Sequence, residues 1–322
     1  MSRLDVTETF HGLTWPGHLH TQESLNYATN FKFKDSDTLI VTYPKSGTTW
    51  MQEMVTLINS QGDPTLSRSV PNWARAPWLE QYYCPEVLSS MQEPRTLTTH
   101  MPYSALAPAL KDSKAKVIYI GRNPRDVAVS SYHFCHFAKF MPTPASFQEY
   151  LNHFLQGKVH FGSWFDHVKS WTDAKEDIQN FFFITYEEMK QDLRGSIKRV
   201  SSFLQRPLVD SEITASEQQC SFATMKNNPM VNYTLVPEEI MSHNSGKFMR
   251  KGASGDWRNT FTVNQSLVFD AVYEAQMQYS PLRTLWPNAT DLQVATKCPV
   301  TAASASSSTC HVVGHQDLMG CS

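Results

Sequence analysis

The stretch TLIVTYPKSGTTW, residues 38–50, changes character twice along its length. Its first half is apolar and β-branched, which is typical of a buried strand. At Pro44 the chain turns to one lysine among small hydroxyl residues and a glycine, and the apolar spacing of a helix follows. The stretch therefore predicts a strand, a tight loop and a helix in succession.

Three further runs have the same strand character, at residues 95–100, 116–121 and 181–186. Near-continuous apolar strands are typical of a parallel sheet that is covered on both faces. Helical patterns lie at residues 48–62, which end on a glycine, and at residues 187–207, which end on a proline. Strands that alternate with helices favour the α/β class, here a central parallel sheet flanked by helices.

The composition is that of a globular protein without a nucleic-acid surface. Of 322 residues, 41% are hydrophobic and 18% charged, and the formal net charge is -2. From Asn288 the aromatic residues stop and Ser, Ala and Thr accumulate, so we expect a catalytic domain at 1–287 and a disordered tail at 288–322. We find no window with the length of a membrane span and no secretory signal. Because the six cysteines lack paired spacing, we expect free thiols and a cytoplasmic location.

The loop after the first strand has the features of a phosphate cradle. A strand that ends in small residues before a helix presents free backbone N–H groups and the positive end of the helix dipole. Lys45 can reach between two anionic groups, and Gly47 lets the backbone approach closely. Further donors are the hydroxyls of Ser46, Thr48 and Thr49. A plain turn with a solvated lysine is the alternative. A kinase that uses ATP and magnesium is disfavoured because Lys45 precedes Gly47.

A second group of polar residues follows the strand at 116–121. Arg122 lies at the strand end and Ser130 in the next helix, so both can converge on one further phosphate. Arg125 and Asp126, taken alone, are compatible with a surface pair. Open parallel sheets bind ligands at the carboxyl ends of their strands, so two such ends in one sheet favour an anionic ligand.

A third segment, GKFMRKGASGDWRNTFT, is a basic loop rich in glycine that contains Arg250, Lys251 and Gly252. An exposed loop is its alternative interpretation. Together with YPKSGTTW and GRNPRDVAVSSY it resembles the cytosolic sulfotransferases, over about residues 10–286. Further stretches, RSVPNWARAPWLE, FGSWFDHVKSW and NPMVNYTL, look most like the hydroxysteroid branch of that family. The resemblance implies transfer of a sulfonate group from 3′-phosphoadenosine 5′-phosphosulfate (PAPS) to a hydroxyl, without a metal. It implies these donor contacts: Lys45, Ser46, Gly47, Thr48, Thr49, Trp50, Arg122, Ser130, Tyr186, Cys220, Phe222, Met225, Arg250, Lys251 and Gly252.

The resemblance also implies two catalytic residues, His100 and Lys45. Because an alcohol holds its proton tightly, a base within hydrogen-bond reach has much to contribute, and an imidazole titrates near the working pH. Lys45 would stabilise the negative charge that develops on the bridging oxygen as the sulfur–oxygen bond breaks. A structural histidine is the alternative for His100, and a protein that only binds the bisphosphate nucleotide is the alternative for the whole chain.

The acceptor is expected to be a small hydrophobic alcohol such as a steroid, sterol or bile alcohol. Thr98 stands where phenol-type members carry a lysine, which favours this acceptor over a phenol, the other reading within the family. A mostly apolar pocket suits a rigid alcohol, although each aromatic residue could instead belong to the core. The predicted pocket residues are Trp15, Trp73, Trp78, Phe134 and Tyr233.

Two further patterns concern partners. The family's dimer segment ends in an acid, whereas this chain has Arg258, Thr262, Val263 and then Leu267, so a homodimer is compatible with the sequence but its usual segment is incomplete. The run YHFCHF, residues 132–137, offers too few ligands for a metal site.

Overall fold

A central parallel sheet carries the fold. The computed structural model describes residues 3–286. Its strands are β1 (Thr7–Phe10), β2 (Leu13–Pro16), β3 (Thr38–Thr42), β4 (Thr96–Thr99), β5 (Lys116–Gly121) and β6 (Asn180–Thr185). The last four form the parallel sheet in the order β4–β3–β5–β6, and β1 and β2 form an antiparallel hairpin. The predicted α/β fold is confirmed.

Helices flank this sheet. The first seven are α1 (Gln22–Thr29), α2 (Thr48–Asn59), α3 (Thr65–Ser69), α4 (Asn72–Arg75), α5 (Cys84–Ser90), α6 (Tyr103–Leu110) and α7 (Pro124–Phe137). Seven more follow in the described residues: α8 (Phe147–Leu155), α9 (Trp164–Asp173), α10 (Tyr186–Gln191), α11 (Leu193–Phe203), α12 (Asp210–Gln219), α13 (Phe222–Lys226) and α14 (Val263–Met277). A 3₁₀ turn lies at Asp256–Asn259.

The continuous apolar strands are explained by burial on both faces of the sheet. All five residues of β3 are buried. Because successive side chains of a strand point to opposite faces, Leu39 and Val41 join one hydrophobic cluster while Ile40 joins another. Each fully buried aliphatic side chain contributes about 1.5–3 kcal/mol to folding. The two clusters hold the helices against opposite faces of the sheet.

The predicted single helix at residues 187–207 is wrong, because the chain breaks between α10 and α11. Asp192 at the break has φ -142° and ψ 84°, and its carboxylate accepts the backbone N–H of Gly195 at 2.7 Å. Aspartate is a preferred N-cap residue because its side chain satisfies an N–H group at the start of a helix. Asp192 therefore starts a second helix and does not continue the first.

The parallel strands bring their carboxyl ends to one edge of the sheet. Register pairs Thr42 of β3 with Ile120 of β5, and Gly121 of β5 with Thr185 of β6. The loops that follow β3, β4, β5 and β6 consequently start from this edge. The predicted tail at 288–322 lies outside the described residues, and the division of the chain at 287/288 stays a prediction.

Candidate active site

The loop between β3 and α2 leaves a helix N-terminus open. Lys45 has φ 69° and Gly47 has φ 108°, both in the left-handed region, and no side chain caps the first turn of α2. A Cβ on Gly47 would lie 3.0 Å from the ring of Tyr186. The buried Oγ of Ser46 has no hydrogen-bond partner. Free N–H groups and an unpartnered hydroxyl at a helix N-terminus suit an anion.

Arg122 ties the three predicted donor segments together. It lies directly after β5, and its Nη1 donates to the carbonyl of Lys45 at 2.7 Å while Nη2 donates to the carbonyl of Ala253 at 3.2 Å. Its guanidinium also lies 4.1 Å from the centroid of the Tyr186 ring. The loops after β3 and β5 and the basic loop therefore form one surface.

The predicted adenine contacts also meet at this surface. The indole N–H of Trp50 donates to the carbonyl of Cys220 at 2.9 Å, and the Trp50 and Tyr186 rings meet edge to face. Burial raises the pKa of the Cys220 thiol well above its usual range, so the thiol is neutral. Gly252 has φ 62°, and a Cβ there would overlap the Phe222 ring.

His100 follows β4 directly, and its ring is oriented by three hydrogen-bond contacts, one of which joins Nδ1 to the Thr42 hydroxyl at 3.1 Å. Its Nδ1 lies 2.9 Å from the carbonyl of Thr42, and its Nε2 lies 3.0 Å from the indole nitrogen of Trp78. Because an indole N–H is only a donor and a carbonyl only an acceptor, Nδ1 carries the proton and Nε2 holds the lone pair. Burial is the main cause that lowers the pKa of His100 to about 4, and Lys45 lowers it further. The imidazole is therefore neutral at pH 7.

A buried carboxylate, that of Glu80, lies behind His100. Its backbone N–H donates to Glu80 Oε1 at 2.8 Å, and Oε2 of this buried glutamate has no partner. Burial raises the pKa of Glu80 to about 7, against the hydrogen bonds that it accepts. Sequence analysis missed Glu80, since a single glutamate in PWLEQY carries no chemical pattern.

Lys45 extends into the apolar part of the site. Its Nζ lies 4.0 Å from the ring centroid of Phe134 and 4.3 Å from that of Phe248. Burial lowers the pKa of Lys45 to about 7, and the nearby Arg122 guanidinium adds to this effect. The amine is thus held between two aromatic rings, on a loop residue that stands two positions before Gly47.

A cavity of about 940 Å³ joins the anion-binding surface to His100 and to an apolar pocket. The predicted residues that line it are Lys45, Gly47, Thr48, Thr49, Trp50, Trp73, Trp78, His100, Arg122, Ser130, Phe134, Tyr186, Cys220, Phe222, Met225, Tyr233, Arg250, Lys251 and Gly252. Ser46 lies behind this surface. The cavity is thus polar at the ends of β3 and β5 and aromatic beyond His100.

Several apolar residues of the pocket were missed from sequence, namely Phe140, Met141, Phe161, Ile240, Met241 and Phe248. They come from loops that have no apolar period of their own. Phe248 alone had a usable signal, because it stands two residues before Arg250 in the basic loop.

Trp15 is not a pocket residue, which corrects the prediction. It is 1% exposed, belongs to the core, and packs edge to face against Phe161, which does line the cavity. Thr98 does not line the cavity either. Its hydroxyl donates to the carbonyl of Ala76 at 2.9 Å and accepts from Gln52. The Thr98 hydroxyl is therefore turned into the protein, towards Ala76 and Gln52.

The alternative of a surface pair at Arg125 and Asp126 is wrong, because both are buried. Arg125 pairs with Asp270, and the Asp126 carboxylate accepts two backbone N–H groups of the basic loop. In YHFCHF the side chains diverge, since His133 and His136 are exposed and Cys135 is buried.

Within residues 3–286 no group of three or more potential ligands surrounds a metal position. In the same part of the chain, no helix is long and apolar enough to cross a bilayer.

The fold and the cavity define the class, an α/β protein in which one space joins an anion-binding loop to an apolar pocket. A family model described as the sulfotransferase domain matches residues 35–281, so the chain belongs to the sulfotransferase family. Sulfotransferase 2B1 of Mus musculus is 47% identical over 83% of this chain and 79% of its own length. The 3-beta-hydroxysteroid sulfotransferase of Cavia porcellus is 42% identical over 88% of this chain and 98% of its own.

A solved structure leads to the same family. Mouse sulfotransferase SULT7A1, crystallised with PAP, matches with a TM-score of 0.73 and 30% identity, over 90% of this chain and 99% of its own. The predicted membership, read from the three segments, is confirmed.

Proposed function

We propose that this protein transfers a sulfonate group from PAPS to the hydroxyl of a hydroxysteroid or a related hydrophobic alcohol. One observation carries the proposal: the cavity that contains the open N-terminus of α2 also contains His100 and an aromatic pocket. The relative named as a 3-beta-hydroxysteroid sulfotransferase supports the same acceptor class.

The residues present fit the donor. The unpartnered hydroxyl of Ser46 and the uncapped turn of α2 suit a phosphosulfate, and Gly47 leaves no room for a side chain. We assign the 3′-phosphate to the cations of the other segments and the adenine to the aromatic residues beside them. The 3′-phosphate residues are Arg122, Ser130, Arg250, Lys251 and Gly252; the adenine residues are Trp50, Tyr186, Cys220, Phe222 and Met225.

His100 is the proposed general base. PAPS supplies the sulfonate group when bound, and the acceptor supplies the hydroxyl. The neutral imidazole takes the hydroxyl proton at Nε2, while the bond from Nδ1 to the carbonyl of Thr42 holds the ring in place. The indole N–H of Trp78 donates to this lone pair, so an acceptor hydroxyl would replace the indole there.

Lys45 is the proposed stabiliser of the leaving group. As the sulfur–oxygen bond to the 5′-phosphate breaks, negative charge grows on the bridging oxygen. Lys45 lies on the loop that leads into the open N-terminus of α2 and lines the cavity, which supports this role. Positioning and electrostatics supply most of the acceleration in transfers of this kind.

Three earlier expectations stay predictions. The cytoplasmic location accords with the buried free thiols of Cys84, Cys135 and Cys220. Val263 and Leu267 of the incomplete dimer segment are exposed on α14, and a homodimer stays a prediction. Residues 1–287 stay the predicted catalytic domain.

Incubation with ³⁵S-labelled PAPS and a panel of hydroxysteroids, bile alcohols and simple phenols tests the proposal. We expect labelled sulfate esters of the steroids and bile alcohols. Transfer to phenols alone would overturn the acceptor class. A folded protein that labels none of the hydroxyls would overturn the activity, and a binding protein without catalysis would then take its place.

A further inference from the structure

One buried carboxylate lies beneath both cations of the basic loop. Asp256 accepts from Arg250 Nη2 at 2.8 Å and from Lys251 Nζ at 2.7 Å, and Asn259 adds a third bond at 3.1 Å. The Asp256 side chain is 7% exposed, whereas those of Arg250 and Lys251 are 28% and 51% exposed. Both cations line the cavity, and Asp256 does not. The Asp256 carboxylate thus lies on the side of the two cations that faces away from the cavity.

Asp256 is ionised at any working pH. Burial alone would raise its pKa, but the hydrogen bonds from Lys251, Asn259 and Arg250 outweigh burial and hold the pKa well below its usual range. Bonds between ionised partners are stronger than neutral ones. The two cations are therefore restrained before any ligand arrives.

The backbone around Asp256 is itself fixed to the sheet edge. The N–H groups of Gly255 and Trp257 donate to the carboxylate of Asp126 at 2.6 and 2.9 Å, and Asp126 is buried on α7. Arg122, just before α7, donates to the carbonyl of Ala253 in the same loop. The Asp256 carboxylate consequently has a set position relative to Arg122 and the start of α7.

We propose that Asp256 is a positioning residue of the donor site, which holds Arg250 and Lys251 in the orientation that receives the 3′-phosphate. The inference rests on the proposed function, because it assumes a 3′-phosphorylated nucleotide. Arg250 uses one of its five N–H donors on Asp256 and Lys251 one of its three, so both keep donors for a ligand. Restraint in advance lowers the entropy lost on binding. If the Asp256 carboxylate instead competed with the 3′-phosphate for the two cations, its loss would strengthen the binding of a 3′-phosphorylated nucleotide.

A pair of ligands that differ only in the 3′-phosphate tests the inference. Adenosine 3′,5′-bisphosphate (PAP) and adenosine 5′-monophosphate (AMP) are titrated into the wild type and into Asp256→Asn by calorimetry. We expect the preference for PAP over AMP to fall about tenfold in Asp256→Asn, the size of one charge-assisted hydrogen bond, with AMP affinity unchanged. A purely structural role would weaken both ligands alike.

A matched variant controls for the loss of one carboxylate. Asp210→Asn makes the same change at an exposed aspartate that pairs with Arg194 on α11, and neither residue lines the cavity. Its PAP preference should equal that of the wild type. Should Asp256→Asn not fold, Asp256→Glu, which keeps the charge and moves the carboxylate by one methylene, gives the same readout.

The outcomes separate the inference from the proposed function. A wild type that binds PAP no better than AMP overturns the proposed donor site and the inference with it. A wild type that prefers PAP, together with Asp256 variants that keep or increase this preference, overturns the inference alone.

Discussion

The surroundings of Lys45 favour an anion beside it. Burial, and after it the Arg122 guanidinium, lower its pKa to about 7, so the amine is part neutral at physiological pH. A phosphate or sulfonate oxygen next to Nζ favours the charged form and raises the pKa. The donor site should therefore bind its ligand together with a proton.

PAP affinity should fall as the pH rises through about 7 towards 9. The protonated amine of Lys45 is the form that binds PAP. The affinity is therefore highest below the pKa of Lys45 in the free protein, and above that pKa it falls by at most about tenfold per pH unit. Calorimetry at pH 6.5, 7.5 and 8.5 measures the slope. Lys45→Arg stays charged throughout and should lose this slope, whereas an equal slope in both proteins would refute the role of Lys45.

At the residue scale, the sequence brings together those predicted site residues whose positions are set by the backbone, and their roles stay predictions. His100, Lys45 and Arg122 each follow a strand of one parallel sheet, and that placement brings them together without knowledge of rotamers. The prediction for Trp15 failed because its role depends on which way the side chain points. In strands of four residues the alternation of faces is too short to read from sequence.

Glycine is required where two elements of the donor site approach. Gly252 has φ 62°, and the Phe222 ring at the start of α13 occupies the place of a Cβ. Gly12, in the turn between β1 and β2, has a similar φ of 74° but no atom within 4 Å of a Cβ. A side chain at Gly12 would therefore cost only backbone strain, whereas a side chain at Gly252 would also displace the Phe222 ring.

Gly252→Ala should weaken PAP binding while Gly12→Ala should not. Each substitution costs about 1 kcal/mol of stability, because alanine disfavours positive φ. Only Gly252→Ala also displaces Phe222, so we expect a loss of affinity of about tenfold or more on top of that cost. Thermal unfolding and PAP titration of both variants measure the two effects. Equal PAP affinity in the two variants would contradict the close packing of Gly252 on Phe222.

At the level of elements, the sequence predicted the strands of the parallel sheet but not the short β1–β2 hairpin or the break between α10 and α11. The four sheet strands begin and end within one residue of the predicted bounds, and β3, β4 and β5 are buried along almost their whole length. The β1–β2 hairpin went unnoticed, since its strands have four residues each and its turn is His11–Gly12. The break at Asp192 was missed because the apolar spacing continues across it.

At the scale of the whole molecule, one cavity at the edge of the sheet contains both the anion-binding surface and the apolar pocket. Alternation of strands and helices predicts that edge, because strands joined by helical crossovers run parallel and so bring their carboxyl ends to one side. The shape of the pocket was not predictable, since it depends on contacts between distant loops. Lys139 donates its backbone N–H to Ile240 at 2.9 Å, and Ser242 donates to Phe137 at 2.8 Å, which closes the apolar end.

The central claim is that His100 removes the acceptor proton beside a bound donor, and His100→Gln tests it most directly. Transfer of ³⁵S from PAPS to a hydroxysteroid and PAP affinity are measured on the same preparations. The account predicts a fall in kcat of about 10²–10⁴-fold with PAP affinity within twofold of the wild type. A His100→Gln protein that transfers sulfonate at the wild-type rate would contradict it.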